Sequence, residues 1–189
     1  AMLRRSIYIA ALLLAGCGGS PSPIPEAAAA TRRPLTVVIG DSITAGYIPT
    51  AGVLQLRQDL SYTADVAQLG DVVTAAVGGA STQAALGTQV PWLRSLPADV
   101  LVIMLGTNDL KEHSAQASVN GVGTLIRTIQ TFDQLYPASV PLFGDNKPRI
   151  LVLTPIEIGE NVAEWDTLYG KGQESRKFPA LMKGLCEWL

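Results

Sequence analysis

From residue 35 onward the chain alternates short apolar runs with longer stretches in which apolar residues recur every three or four positions. The runs at 35–39, 72–77, 100–105 and 150–154 predict strands. The intervals between them predict helices within 51–68 and over 81–93, 119–135 and 172–188. In the third helix Val119, Val122, Leu125, Ile126, Ile129 and Phe132 share one face, a pattern of core packing rather than ligand binding. Strand and helix in alternation predict an α/β layered domain built on a mostly parallel sheet. The stretch 136–148, with three prolines and Gly144-Asp145-Asn146-Lys147, predicts a loop, and no internal repeat occurs.

Three of the predicted strands end alike. Val37-Val38-Ile39 stops at Gly40-Asp41-Ser42, the second run at Gly78-Gly79-Ala80-Ser81-Thr82, and the third at Gly106-Thr107-Asn108-Asp109. In a parallel sheet these carboxyl ends lie on one edge, where open α/β sheets carry their chemistry. A serine, a glycine-rich turn and an asparagine would then face one crevice. Acyl transfer needs a nucleophilic oxygen and donors aimed at a developing oxyanion, and the Ser42 and glycine N–H groups with the Asn108 amide supply both. Asp41 and Asp109 fit turn and capping roles better than catalytic ones. The sequence has no Gly-x-Ser-x-Gly elbow, which argues against an α/β-hydrolase fold. It also lacks a Gly-x-Gly-x-x-Gly turn after the first strand, which argues against a nucleotide-binding domain.

Composition narrows the partners. With 189 residues, 48% hydrophobic and 16% charged, the chain can bury the core of one domain. A net charge of −2 without any Lys/Arg cluster excludes a nucleic-acid footprint. Cys17 and Cys186 are the two cysteines, and no Cys/His group has metal-ligand spacing, so neither a metal nor a cofactor is expected.

The three blocks, taken in order from residue 35 to the end, resemble the SGNH, or GDSL, hydrolase superfamily. Leu101-Val102-Ile103-Met104-Leu105-Gly106-Thr107-Asn108-Asp109 and Gly170-Lys171-Gly172-Gln173-Glu174 are most similar to its arylesterase and acyltransferase branch. The resemblance implies a flavodoxin-like three-layer αβα domain over 34–189 that acts on small carboxylic esters through an acyl-Ser42 intermediate. It further implies that Gly79, rather than Gly78, and Asn108 join the Ser42 N–H in the oxyanion hole, because Gly79 precedes Ala80-Ser81-Thr82 as the second block requires.

A serine needs an adjacent base, which the superfamily takes from a late Asp-x-x-His block. This sequence has no such block and one histidine, His113, five residues after Asn108. His113 reads as an exposed loop or helix-start residue, since reaching Ser42 would require its loop to fold back across the crevice. The expectation is therefore a domain lacking its last strand, histidine loop and closing helix, with impaired catalysis.

The chain begins with Arg4-Arg5, an apolar stretch at 7–15 and Leu14-Ala15-Gly16-Cys17, which is similar to a bacterial lipoprotein signal. The resemblance implies a signal over 2–17, acylation of Cys17, and export to the periplasmic or cell-surface side of a membrane. The Pro/Gly/Ser-rich 18–33 would be a flexible spacer. Each buried methylene of an acyl chain adds about 0.8 kcal/mol, so several chains give stable anchoring. A non-catalytic lipid-anchored protein that uses the same crevice for binding is the alternative to an esterase, and the oligomeric state is not legible. Mass spectrometry of the mature N-terminus should find an acylated Cys17. An unmodified N-terminus farther along the chain would refute the anchor.

Overall fold

The computed structural model describes residues 33–50, 53–96, 98–132, 143, 147–164 and 166–189. The signal, Cys17, all of the spacer but Arg33, and most of the loop at 136–148 lie outside the described residues. In chain order the first elements are β1 (Leu35–Gly40), α1 (Ser42–Ala45), β2 (Tyr47–Thr50), β3 (Val53–Leu56), α2 (Tyr62–Val66) and β4 (Asp71–Ala76). There follow α3 (Thr82–Thr88), β5 (Val100–Met104), α4 (Ala115–Gln130), β6 (Arg149–Val152), α5 (Gly172–Ser175) and α6 (Phe178–Trp188).

Val37, Val38 and Ile39 of β1 are entirely shielded from solvent, which requires neighbours on both edges and cover on both faces. Both are present. The strands pair in parallel in the order β4-β1-β5-β6, with Val37 opposite Val73 and Leu101, and Ile39 opposite Ala75 and Ile103. Val37, Ile39, Leu101 and Ile103 share one face and meet the stripe Val119, Val122, Leu125, Ile126 and Ile129 of α4 in the principal core. Val38 and Val102 alternate to the opposite face and are buried there. This flanked parallel sheet is the α/β layered architecture that the alternating pattern predicts.

The boundaries differ from expectation where local chemistry intervenes. Helix α4 begins at Ala115, because the Ser114 Oγ accepts a hydrogen bond from the Ala117 N–H. It ends at Gln130, with Phe132 beyond it half-buried against the core. The segment predicted as one helix over 81–93 divides into α3 and a 3₁₀ turn, Val90–Arg94, at Pro91. The predicted helix at 172–188 likewise breaks into α5 and α6 around Pro179, which lacks an N–H and constrains the residue before it. Among the described residues of 51–68 the helical pieces are a 3₁₀ turn, Gln58–Leu60, and the short α2, and β3 pairs antiparallel with β2, Tyr47 opposite Leu56. Gly46, at φ 88°, turns the chain into that hairpin, and the Arg57 N–H donates to its carbonyl at 2.7 Å.

Helix α6 lies against α4, where a side chain at Gly123 would stand 3.0 Å from Leu185. At the start of α6 the fully buried Phe178 reaches the end of β5. Its ring lies 3.0 Å from where a Cβ on Gly106 would be. Phe178→Ala should lower the unfolding free energy by about 3–5 kcal/mol in a urea titration. A loss below 1 kcal/mol would show that α6 does not support the β5 turn.

Candidate active site

The carboxyl ends of β4, β1 and β5 lie side by side, and the three expected blocks follow them directly. After β1 the chain reverses at once. A Cβ on Gly40 would fall 1.9 Å from Thr44 Oγ1, so only glycine allows α1 to begin two residues later. Asp41 caps that helix. Its Oδ1 accepts from the Ile43 N–H at 2.9 Å, and the residue is 1% exposed. Ser42 is the first residue of α1 and half-buried, and its hydroxyl has no hydrogen-bond partner among the described residues. Its N–H is one of the helix-start donors that have no acceptor within the helix.

Gly79 is exposed, with φ at 76°, and an added Cβ there would meet nothing within 4 Å, so its backbone borders open space. The next turn leads into α3, whose start is fixed twice. Ser81 Oγ accepts from the Ala84 N–H, and the buried Asp109 carboxylate accepts from both the N–H and the hydroxyl of Thr82. Asn108 opens the 3₁₀ turn Asn108–Lys111. Its Nδ2 donates to Asp41 Oδ2 and to the Ala80 carbonyl, each at 3.2 Å. One amide therefore joins all three loops. Both of its hydrogens are directed at protein oxygens, and donating to a substrate would require it to give up one of these long bonds.

The structure thus brings the loops of Ser42, Gly79 and Asn108 to one sheet edge, and it gives Asp41 and Asp109 the structural positions expected of them. His113 is exposed, its N–H donates to the Asp109 carbonyl at 2.8 Å, and its ring has no partner among the described residues. Cys186 carries a free thiol, pushed up in pKa by partial burial. Among the described residues no three His, Cys, Asp or Glu side chains gather as a metal site would require.

Two residues here escape sequence reading. Tyr62 hydrogen-bonds Thr44 Oγ1 at 2.9 Å, and burial pushes its hydroxyl pKa up to about 12, so it remains protonated. Gln89 is completely buried. Its Oε1 accepts from the Gly40 N–H at 3.1 Å, and its Nε2 donates to the Gly40 carbonyl at 3.0 Å. The signal for Gln89 was a polar residue four after Ala85 and four before Leu93, on the apolar stripe.

The profile of the GDSL-like Lipase/Acylhydrolase family matches residues 38–188. Among curated proteins none matches the chain. Of solved structures, the native aryl esterase of M. smegmatis superposes with a TM-score of 0.69 at 22% identity, covering 82% of this chain and 80% of that one. A carbohydrate acetylesterase from Sinorhizobium meliloti gives 0.64 at 23%, with coverages of 82% and 80%. A putative arylesterase from Agrobacterium tumefaciens gives 0.63 at 22%, with 82% and 79%. At these identities the likeness is one of fold.

Burial raises the pKa of Asp41 above the usual carboxylate value, partly offset by the hydrogen bonds it accepts from Ile43 and Asn108. Such a carboxyl holds its proton more tightly in the folded chain. It contributes stability below the ordinary carboxylate range, and this contribution is lost as the pH rises through the folded value. Wild type should therefore gain stability relative to Asp41→Asn on acidification through that window, measured by denaturant unfolding at a series of pH values. A difference that does not vary with pH would mean that the Asp41 pKa is unaltered by folding.

Proposed function

The chain belongs to the GDSL-like lipase/acylhydrolase family, and from that membership we propose that it is a serine esterase in which Ser42 is the acyl acceptor. The observation that carries the reading is the Asn108 amide joining the Ser42 and Gly79 loops beside an unbonded serine hydroxyl. Ser42 Oγ attacks the ester carbonyl while a base removes its proton. The oxyanion is received by the N–H groups of Ser42 and Gly79 and by Asn108 Nδ2, and its collapse expels the alcohol, which recovers the proton. Water, with the same base, then frees the acid from the acyl-Ser42 ester. Transfer to an alcohol instead of water would give acyl exchange.

Small aryl and acetyl esters are the proposed substrates, in keeping with the names of the structural neighbours. The step that these 189 residues serve least well is proton removal. Their single histidine is His113, on an exposed turn, so turnover is proposed to be limited by the supply of a base. Export and membrane attachment through Cys17 belong to the same proposal and rest on the sequence pattern at 2–17.

Hydrolysis of p-nitrophenyl acetate, with and without imidazole as a base in solution, tests this. Imidazole should accelerate the wild type above its effect on the free ester, and a fluorophosphonate should label Ser42. Ser42→Ala should abolish both, and Asn108→Ala should slow acylation about 10²–10³-fold. Equal rates for wild type and Ser42→Ala, with no labelling, would refute the esterase and leave a crevice used for binding.

A further inference from the structure

The hydrogen bonds around the site form a closed circuit. Asn108 holds Asp41 and Ala80, its neighbour Asp109 holds Thr82 at the start of α3, and Gln89, immediately after the end of α3, returns to Gly40. Helix α3 is thus a strut tied at one end to the Asn108 loop and at the other to the residue two before Ser42. The Gly40 peptide groups also fix how the Gln89 amide is oriented. An N–H can only donate and a carbonyl can only accept, so Oε1 must face the first and Nε2 the second.

Both bonds fall at the last residue of β1. The Gly40 carbonyl also accepts from the Val77 N–H at 3.1 Å, and Gly40 stands opposite Ala76 in the parallel β1–β4 ladder, so Gln89 adds to the last rung of β1 rather than replacing it. Without the Gln89 amide that end of β1 would be held by strand pairing alone, and the Gly40 peptide would be free to turn. A turn of that peptide moves Ser42, because Gly40 and Thr44 are too close for the tight α1 turn to absorb the change.

We propose that Gln89 is a positioning residue for Ser42: its amide clamps both polar groups of Gly40 and, through α3, sets the serine oxygen against the donors of the Gly79 and Asn108 loops. This rests on the reading of Ser42 as the acyl acceptor. Gln89 touches no substrate. Its role concerns the rate at which Ser42 is acylated, not the affinity for the ester. A displacement of about 1 Å at a reacting atom costs on the order of a hundredfold in rate, so loss of the clamp should slow acylation roughly tenfold to a hundredfold.

The test is the time course of fluorophosphonate labelling of the full chain in imidazole buffer, over a range of probe concentrations, for wild type, Ser42→Ala, Gln89→Met and Gln89→Glu. Gln89→Met should reach the same final labelling as wild type with an unchanged half-saturating concentration and a maximal rate constant lowered at least tenfold. Gln89→Glu can remake both bonds only with its carboxyl protonated, so its rate relative to wild type should fall as the pH rises. This variant also serves if Gln89→Met does not fold. An unchanged rate constant in the folded fraction of either variant, with only the final labelling reduced, would show that Gln89 merely supports the fold and overturn the proposal. Wild type that does not label at Ser42 would overturn the acyl-acceptor reading, and this inference with it.

Discussion

The close approach of Gly40 to Thr44 is the constraint on which the rest of the site depends. A strand buried on both faces must end against its neighbours, and here the chain reverses within two residues because no side chain occupies the space of the Thr44 hydroxyl. The reversal ends strand pairing at Gly40 and places Asp41 where burial desolvates it. Each point is braced by a side chain from elsewhere in the chain, Gln89 at the Gly40 N–H and carbonyl and Asn108 at one carboxylate oxygen. The polar network is thus the local consequence of ending β1 abruptly at the centre of a sheet.

The sheet order explains why these partners are within reach. With β1 between β4 and β5, the loops after all three strands share one edge, and the helix between β4 and β5 can bridge the loop at its own start and the strand end beyond it. Phe178 contributes from below, since its ring fills the space beside Gly106, where the chain turns at φ 133° into Asn108. Core packing and site geometry meet at that residue.

This arrangement was legible in the sequence to the extent that it follows from strand ends. Gly40-Asp41-Ser42, Gly79 and Asn108 could be grouped because parallel pairing places carboxyl ends together whatever the loops do. Gln89 stood out at most as a polar residue on an apolar stripe, because nothing in such a segment tells which backbone groups a buried amide would clamp. The hairpin of β2 and β3 escaped for a different reason. Val53-Leu54-Gln55-Leu56 has too few residues to separate a period of two from one of 3.6, and what decides it is pairing with Tyr47 and Ile48 across the turn. Pro91 and Pro179 mark the helix breaks in the sequence, while the apolar spacing continues across them.

The bonds of Asn108 also bear on how an oxyanion donor that is already occupied can assist the proposed reaction. Its two hydrogens are directed at Asp41 and Ala80 over 3.2 Å, the long end of the usual range for such bonds. A neutral ester carbonyl offers nothing stronger in exchange, so the amide has little reason to leave either partner in the substrate complex. A full oxyanion does, in place of the neutral Ala80 carbonyl, because hydrogen bonds to ionised oxygen are shorter and roughly twice as strong as neutral ones. The competing Asp41 carboxylate holds its proton more readily than an ordinary one, which weakens its claim on the amide whenever it is protonated. An amide that is satisfied at rest and gains only as charge develops is bound differentially to the transition state, which is the condition for raising a rate rather than an affinity.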